Sequence, residues 1–170
     1  MNKLSAAFLT TAVCAPGIAI AGPDLVKFPA AYKSEFTHYA TQNRVEKKQV
    51  VAVYANPAAA GAQAGSPLSP GSILVMEVYK AELGDGDMPK TEANGEFVKG
   101  ELAAVVVMEK QPGWGSEYKD ELRNGEWEYA KFSADGTPAA GSTEDCLTCH
   151  KPIAGQDFVF TFEKLDAINP

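Results

Sequence analysis

Through the middle of this chain the apolar positions recur with a period of two, the signature of β-strands with distinct faces. From Ser72 to Ala81 one face carries Ser72, Leu74, Met76, Val78 and Lys80, and the other Ile73, Val75, Glu77 and Tyr79. Gln49–Tyr54, rich in Val and ending in Tyr, predicts a second strand, and Glu126–Ser133, with Trp127, Tyr129 and Phe132, a third. In Glu101–Lys110 the positions from Ala103 to Met108 are apolar throughout, as in a strand covered on both faces. Asp157–Glu163 sets Phe158, Phe160 and Phe162 against Val159 and Thr161 and predicts a fifth.

A helical period comes earlier. Between Asp24 and about Asn43 the rings of Phe28, Tyr32, Phe36 and Tyr39 recur at three- and four-residue intervals, which predicts a helix laying an aromatic face on the sheet. His38 falls off that stripe and reads as an exposed or hydrogen-bonded histidine. Asn56-Pro57 opens a short alanine-rich helix to about Ala64, with Asn56 as its N-cap. Ser142 or Thr143 caps another short helix, which Lys151-Pro152 stops. Glycine-rich turns separate these elements and no internal repeat is present. The expected fold is α+β: mostly antiparallel sheet, an N-terminal helix and a short C-terminal helix.

The first 21 residues stand apart. A basic start at Lys3, an apolar run from Leu4 to Ile20 and the small-residue signal Ala19-Ile20-Ala21 read as a secretory signal peptide. Residues 22–170 are then one domain, large enough for its own core. Cys14 lies inside the leader; lipidation there is the competing reading, and Val13 is a poor residue to precede a lipidated cysteine. Export predicts a periplasmic protein. Loss of the leader removes only one of the 15 basic residues and none of the 22 acidic ones. An acidic surface argues against nucleic acid and against anionic membranes as partners.

The chemistry concentrates in Cys146-Leu147-Thr148-Cys149-His150. C-x-x-C-H is the spacing of covalent c-type haem attachment, with two thioethers one helical turn apart and the adjoining imidazole as an axial iron ligand. A redox disulfide would sit in a βαβ setting, which is not visible, and a zinc site would need two more ligands where the only other histidine is His38. Removal of the leader leaves two of the three cysteines, and both belong to the motif. One haem c, bound through Cys146 and Cys149 with His150 on the iron, is the expected cofactor. The late position of the motif, behind a β-rich body, separates this chain from small all-helical cytochromes.

Several segments resemble the cytochrome P460 family: Gly71–Lys80, Phe97–Leu102, Val107–Gly115, Gly125–Tyr129, the haem motif with Lys151-Pro152, and Asp157–Thr161. The resemblance covers nearly all of residues 22–170. It implies a β-sheet fold, a five-coordinate c-type haem and a homodimer. One branch of the family oxidises hydroxylamine and carries a lysine cross-link to the haem. The cytochromes c′-beta instead have an ordinary haem in an apolar pocket and bind nitric oxide and carbon monoxide. The family pattern puts the cross-linking lysine five residues past the Gly of a Gly-Ser or Gly-Thr pair, which is Met76 here, with Lys80 the candidate under a shifted alignment. A distal carboxylate is expected on Glu101–Lys110, where Ala104, Val106, Val107 and Met108 face inward and Glu109 ends the strand. A distal arginine is expected on Gln49–Tyr54, where Val51 stands.

The reading closer to this sequence is therefore the gas-binding branch, with Val51, Met76 and Val106 or Val107 in an apolar distal pocket. Hydroxylamine oxidation needs a base within reach of the substrate, and the pocket so read has none; no catalytic residue is assigned. The third hypothesis is electron transfer to a small redox protein, with a methionine sulfur as sixth ligand; Met76 is the candidate, Met88 lying in a polar loop and Met108 in the core. Arg44 or Arg123 could pair a haem propionate. Glu117, Asp120 and Glu121 read as a solvated acidic face.

Overall fold

The computed structural model describes Gly22 and residues 24–168. The leader therefore lies outside the described residues. Five strands form one antiparallel sheet in simple sequence order: β1 (Thr37–Arg44), β2 (Gln49–Ala55), β3 (Ile73–Ala81), β4 (Lys99–Lys110) and β5 (Trp127–Phe132). Four of the five predicted strands are present, β4 beginning two residues earlier than expected. The fold is α+β, as the alternating pattern implied.

Register follows from the period of two, because a slip by one residue would turn every apolar side chain to the wrong face. Val75 pairs with Val107 and Met76 with Val106; Val107 pairs with Ala130 and Met108 with Tyr129. One face consequently gathers Val75, Val105, Val107, Ala130 and Phe132. The other gathers Val51, Val53, Leu74, Met76, Val106 and Met108. From Ala104 to Met108 the apolar run of β4 is buried or half-buried on both faces.

The N-terminal segment covers the first of these faces. Only Tyr32–Glu35 is helical (α1), a single turn, and Thr37–Arg44 is the edge strand rather than the second half of a long helix. The reason is tertiary. Residues 37–44 find seven antiparallel partners on β2, from Thr37 with Ala55 to Arg44 with Gln49, which no isolated polar helix could match. Phe28, Tyr32 and Phe36 do share one face, packed on Val75, Val107 and Phe132. Tyr39 leaves that set: a bulge between His38 and Ala40 carries it to the opposite side of the sheet, where its hydroxyl bonds Thr161 at 2.6 Å. Asn56 caps α2 (Pro57–Ala60), accepting from the Ala59 amide at 2.9 Å; the helix stops one turn on, at Gly61.

The C-terminal third covers the second face. It runs through α3 (Thr143–His150), a 3-10 segment (Lys151–Gln156) and α4 (Phe162–Asp166). The expected strand Asp157–Glu163 is absent. Asp157 and Phe158 are left-handed, at φ 48° and 62°, and the chain turns there instead of extending. The alternating phenylalanines are split between a turn and a helix.

Candidate functional site

The helix α3 presents Cys146 and His150 four residues apart, with Cys149 three residues after Cys146, so the motif occupies adjoining positions on the helix. Leu147 points the other way and is 1% exposed, which fixes the rotation of the helix on the core. Asn124 reinforces this by donating to the Leu147 carbonyl at 3.1 Å and to the Tyr129 hydroxyl at 3.0 Å. Past the helix end, Lys151 donates to the carbonyls of Asp120 and Arg123. Both thiols are free, and burial pushes that of Cys146 up, with Asp145 adding to the effect.

His150 is held on three sides. Its Nδ1–H donates to the Phe158 carbonyl at 2.7 Å, and its ring lies 5.0 Å from those of Tyr129 and Phe160. Burial lowers its pKa, the Phe158 carbonyl acting against that and the charge of Arg44 with it. A neutral imidazole with Nδ1 occupied has its Nε2 lone pair free for a metal. The Phe158 carbonyl can point this way only because Asp157 and Phe158 are left-handed. That turn is anchored in turn by Lys110, whose ammonium lies 3.0 and 2.9 Å from the two Asp157 carboxylate oxygens, and by the Leu68 amide at 2.8 Å.

His150 and Cys149 line a cavity of about 680 Å3 whose opposite wall is the sheet. Val51, Met76 and Val106, the residues expected over the iron, are all on that wall, with Val53, Leu74 and Met108 beside them. Val107 is not; it faces the far side of β4 and is fully buried there. Cys146 lies at the boundary and lines a separate groove with Lys131 and Phe132.

The charged groups sort clearly. Arg44, at the end of β1, lines the cavity and donates to the Met76 sulfur at 3.2 Å. An arginine thus reaches the pocket from the strand next to the one expected, and with Gln42 it gives the otherwise apolar wall hydrogen-bond donors. Arg123 is used up inside its own loop, donating to the carbonyls of Gly115, Ser116 and Tyr118. Lys80 is outside the cavity, largely exposed and paired with Glu101 at 2.6 Å; the lysine that lines the cavity is Lys47. Glu109 bonds Gln111 at 2.7 Å, and among the lining residues the single carboxylate is that of exposed Glu46. His38 bonds Thr41 at 3.2 Å and Met88 is exposed. Neither lines the cavity.

A porphyrin requires a deep apolar slot, an axial nitrogen on one side and cations near its acidic edge, and this cavity lies within the ordinary volume range of cofactor sites. His150 Nε2, the aliphatic wall, and Arg44 with Lys47 meet those needs. The sequence profile described as cytochrome P460 matches residues 29–161. The chain belongs to the cytochrome P460 family. No individually curated protein matches it. Within that P460 match lie all five strands and α3, so the family's haem chemistry and the cavity occupy the same body. Membership implies a c-type haem protein. Among the described residues no group of three or more His, Cys, Asp or Glu side chains could hold a metal ion. None of their helices is long and apolar enough to cross a membrane.

Sequence reasoning missed Tyr129, Phe160, Lys110 and the Phe158 carbonyl as parts of this site. Lys110, a lysine closing an apolar strand, is the one available signal.

Proposed function

We propose that this is an exported haem c protein that takes up a small neutral diatomic, nitric oxide or carbon monoxide, at a five-coordinate iron. Cys146 and Cys149 would hold the porphyrin by thioethers and His150 Nε2 would be the proximal ligand. Bound there, the haem supplies an iron with one axial position filled by imidazole and the other open.

The observation that carries this reading is the wall facing His150. Val51, Val53, Leu74, Met76, Val106 and Met108 are apolar and offer neither a base nor a strong ligand in a free state. The Met76 sulfur already accepts from Arg44, which counts against its use as a sixth ligand. Removing protons from hydroxylamine requires a base at hydrogen-bond distance, and the one carboxylate available, Glu46, is exposed at the mouth. Phe158 and the Tyr129 and Phe160 rings keep the imidazole oriented, so ligand uptake need not move it. Arg44 and Lys47 suit the haem propionates.

The test is the ferrous absorption spectrum of the exported, haem-loaded protein with and without carbon monoxide. A high-spin spectrum that shifts on adding the gas is expected. A low-spin spectrum indifferent to it would favour electron transfer, and a strongly red-shifted Soret band with hydroxylamine turnover would favour the cross-linked enzyme.

A further inference from the structure

Two carboxylates are buried on the sheet face turned away from the cavity, and they are provided for very differently. Glu77 is 1% exposed and accepts hydrogen bonds from Tyr32, Tyr54 and Tyr79 at 2.7–2.9 Å, with the Lys33 ammonium at 2.9 Å. Glu128 is fully buried. Its Oε2 accepts from the Tyr118 hydroxyl at 3.0 Å, and its Oε1 has no hydrogen-bond partner among the described residues. No Lys, Arg or His among them forms an ion pair with it. Burial raises the pKa of this carboxyl, Tyr118 counteracts, and the nearby charge of Glu117 raises it further. An uncompensated carboxylate in such a place is costly.

Two backbone N–H groups are also directed at this carboxylate, those of Tyr129 and Gly22. The segment that follows is fastened to the same face. The Leu25 amide donates to the Gly22 carbonyl at 3.1 Å, Val26 is 2% exposed against Ala130 and Phe132, and the Phe28 ring lies edge-on to Phe132 at 5.3 Å. Gly22 is also the residue directly after Ala19-Ile20-Ala21, the small-residue signal for leader removal. Hydrolysis of the Ala21–Gly22 peptide bond breaks its C–N bond and consumes one water. Ala21 leaves as a carboxylate, and the Gly22 nitrogen becomes an α-ammonium with three hydrogens and a full positive charge.

We propose that leader cleavage creates the cation Glu128 lacks, so that an ion pair between the Gly22 α-ammonium and Glu128 fastens the N-terminal segment to the sheet only in the processed protein. Before cleavage the same nitrogen is a neutral amide and brings no charge to balance the carboxylate. The pair would be formed after export, when the body of the protein folds. It is independent of what the haem binds.

The test uses the exported haem-loaded protein in four forms: the natural sequence and one with Gly-Ser-Gly-Ser inserted between Ala21 and Gly22, each with Glu128 and with Glu128→Gln. The insertion keeps the cleavage signal and moves the ammonium four residues away. Intact mass of the natural form should begin at Gly22. With Glu128 present the insertion should raise the unfolding equilibrium constant by more than about a hundredfold, as expected for a buried pair that loses one partner. With Glu128→Gln it should change it less than about threefold. Should Glu128→Gln fail to fold, acetylation of the α-amine decides: it should be slower in the natural form than in the inserted one. Equal costs in both backgrounds, no cost, equal acetylation, or a mature chain starting elsewhere would overturn the proposal.

Discussion

Lys110 holds both carboxylate oxygens of Asp157, at 3.0 and 2.9 Å, and through that grip sets the direction in which the Phe158 carbonyl meets His150. The two side chains are about 10% exposed and Lys110 also lies 5.6 Å over the Trp127 ring. Removing one partner of such a pair leaves a buried charge, at a cost of about 3–5 kcal/mol. Asp157→Ala should therefore lower stability by that order in urea unfolding. It should also change the haem spectrum, because Asp157 and Phe158 would relax from their left-handed conformation and the imidazole would lose its acceptor. A spectrum untouched by Asp157→Ala would show that the ion pair serves the fold alone.

Val106 and Val107 are neighbours in sequence and lie on opposite faces of β4. Val107→Ala should cost about 2 kcal/mol through the cavity it leaves, with the carbon monoxide complex unchanged. Val106→Phe puts a ring into the space opposite His150 and should weaken carbon monoxide binding at little cost in stability. Gas titration and urea unfolding of the two variants check both halves. If both variants weakened binding equally, the register of β4 over the cavity would be wrong.

Lys80 and Met76 separate in the same way. The Lys80–Glu101 pair is exposed on both sides, and Lys80→Ala should change stability by no more than about 1 kcal/mol. It should leave the haem spectrum as it was. Met76→Lys places an amine on the wall facing His150 and should alter the ferrous spectrum. An unchanged spectrum would remove residue 76 from the haem surroundings.

What the sequence reveals follows from where each element finds its partners. The strands β2 to β5 are legible because their apolar alternation is imposed by two buried faces, which also put Val51, Met76 and Val106 on one wall. The edge strand β1 is not: Thr37–Arg44 is polar, its pairing is supplied by β2, and the aromatic spacing before it imitates a helix. The Phe158, Phe160, Phe162 alternation misleads for a different reason. Its conformation is held by Lys110 and by the Leu68 amide, 47 and 89 residues away. Arg44 reaches the cavity only through the register of β1, which the helical reading of that segment concealed.

Glu77 gives a prediction in which stability and haem chemistry part company. Burial would raise its pKa, but the Lys33 ammonium and the hydroxyls of Tyr32, Tyr79 and Tyr54 outweigh that and hold it below its ordinary value of 4.5. The phenols respond in the opposite sense; that of Tyr54 is pushed up to about 12, by burial first and by Glu77 next. A carboxyl whose pKa is lower folded than unfolded stabilises the fold fully above the unfolded value. That contribution is lost as pH falls through the folded one, because the unfolded chain there binds the extra proton. Stability should accordingly fall as pH drops below about 4.5, and Glu77→Gln should flatten that part of the curve. At neutral pH the same substitution leaves three buried or half-buried phenols competing for a weaker acceptor, and should cost about 3 kcal/mol. Glu77 faces away from the cavity, so the carbon monoxide spectrum of the folded variant should match that of the natural protein. Urea unfolding across the acid range, paired with that spectrum, checks both; a shifted spectrum would mean that the two faces of the sheet are coupled.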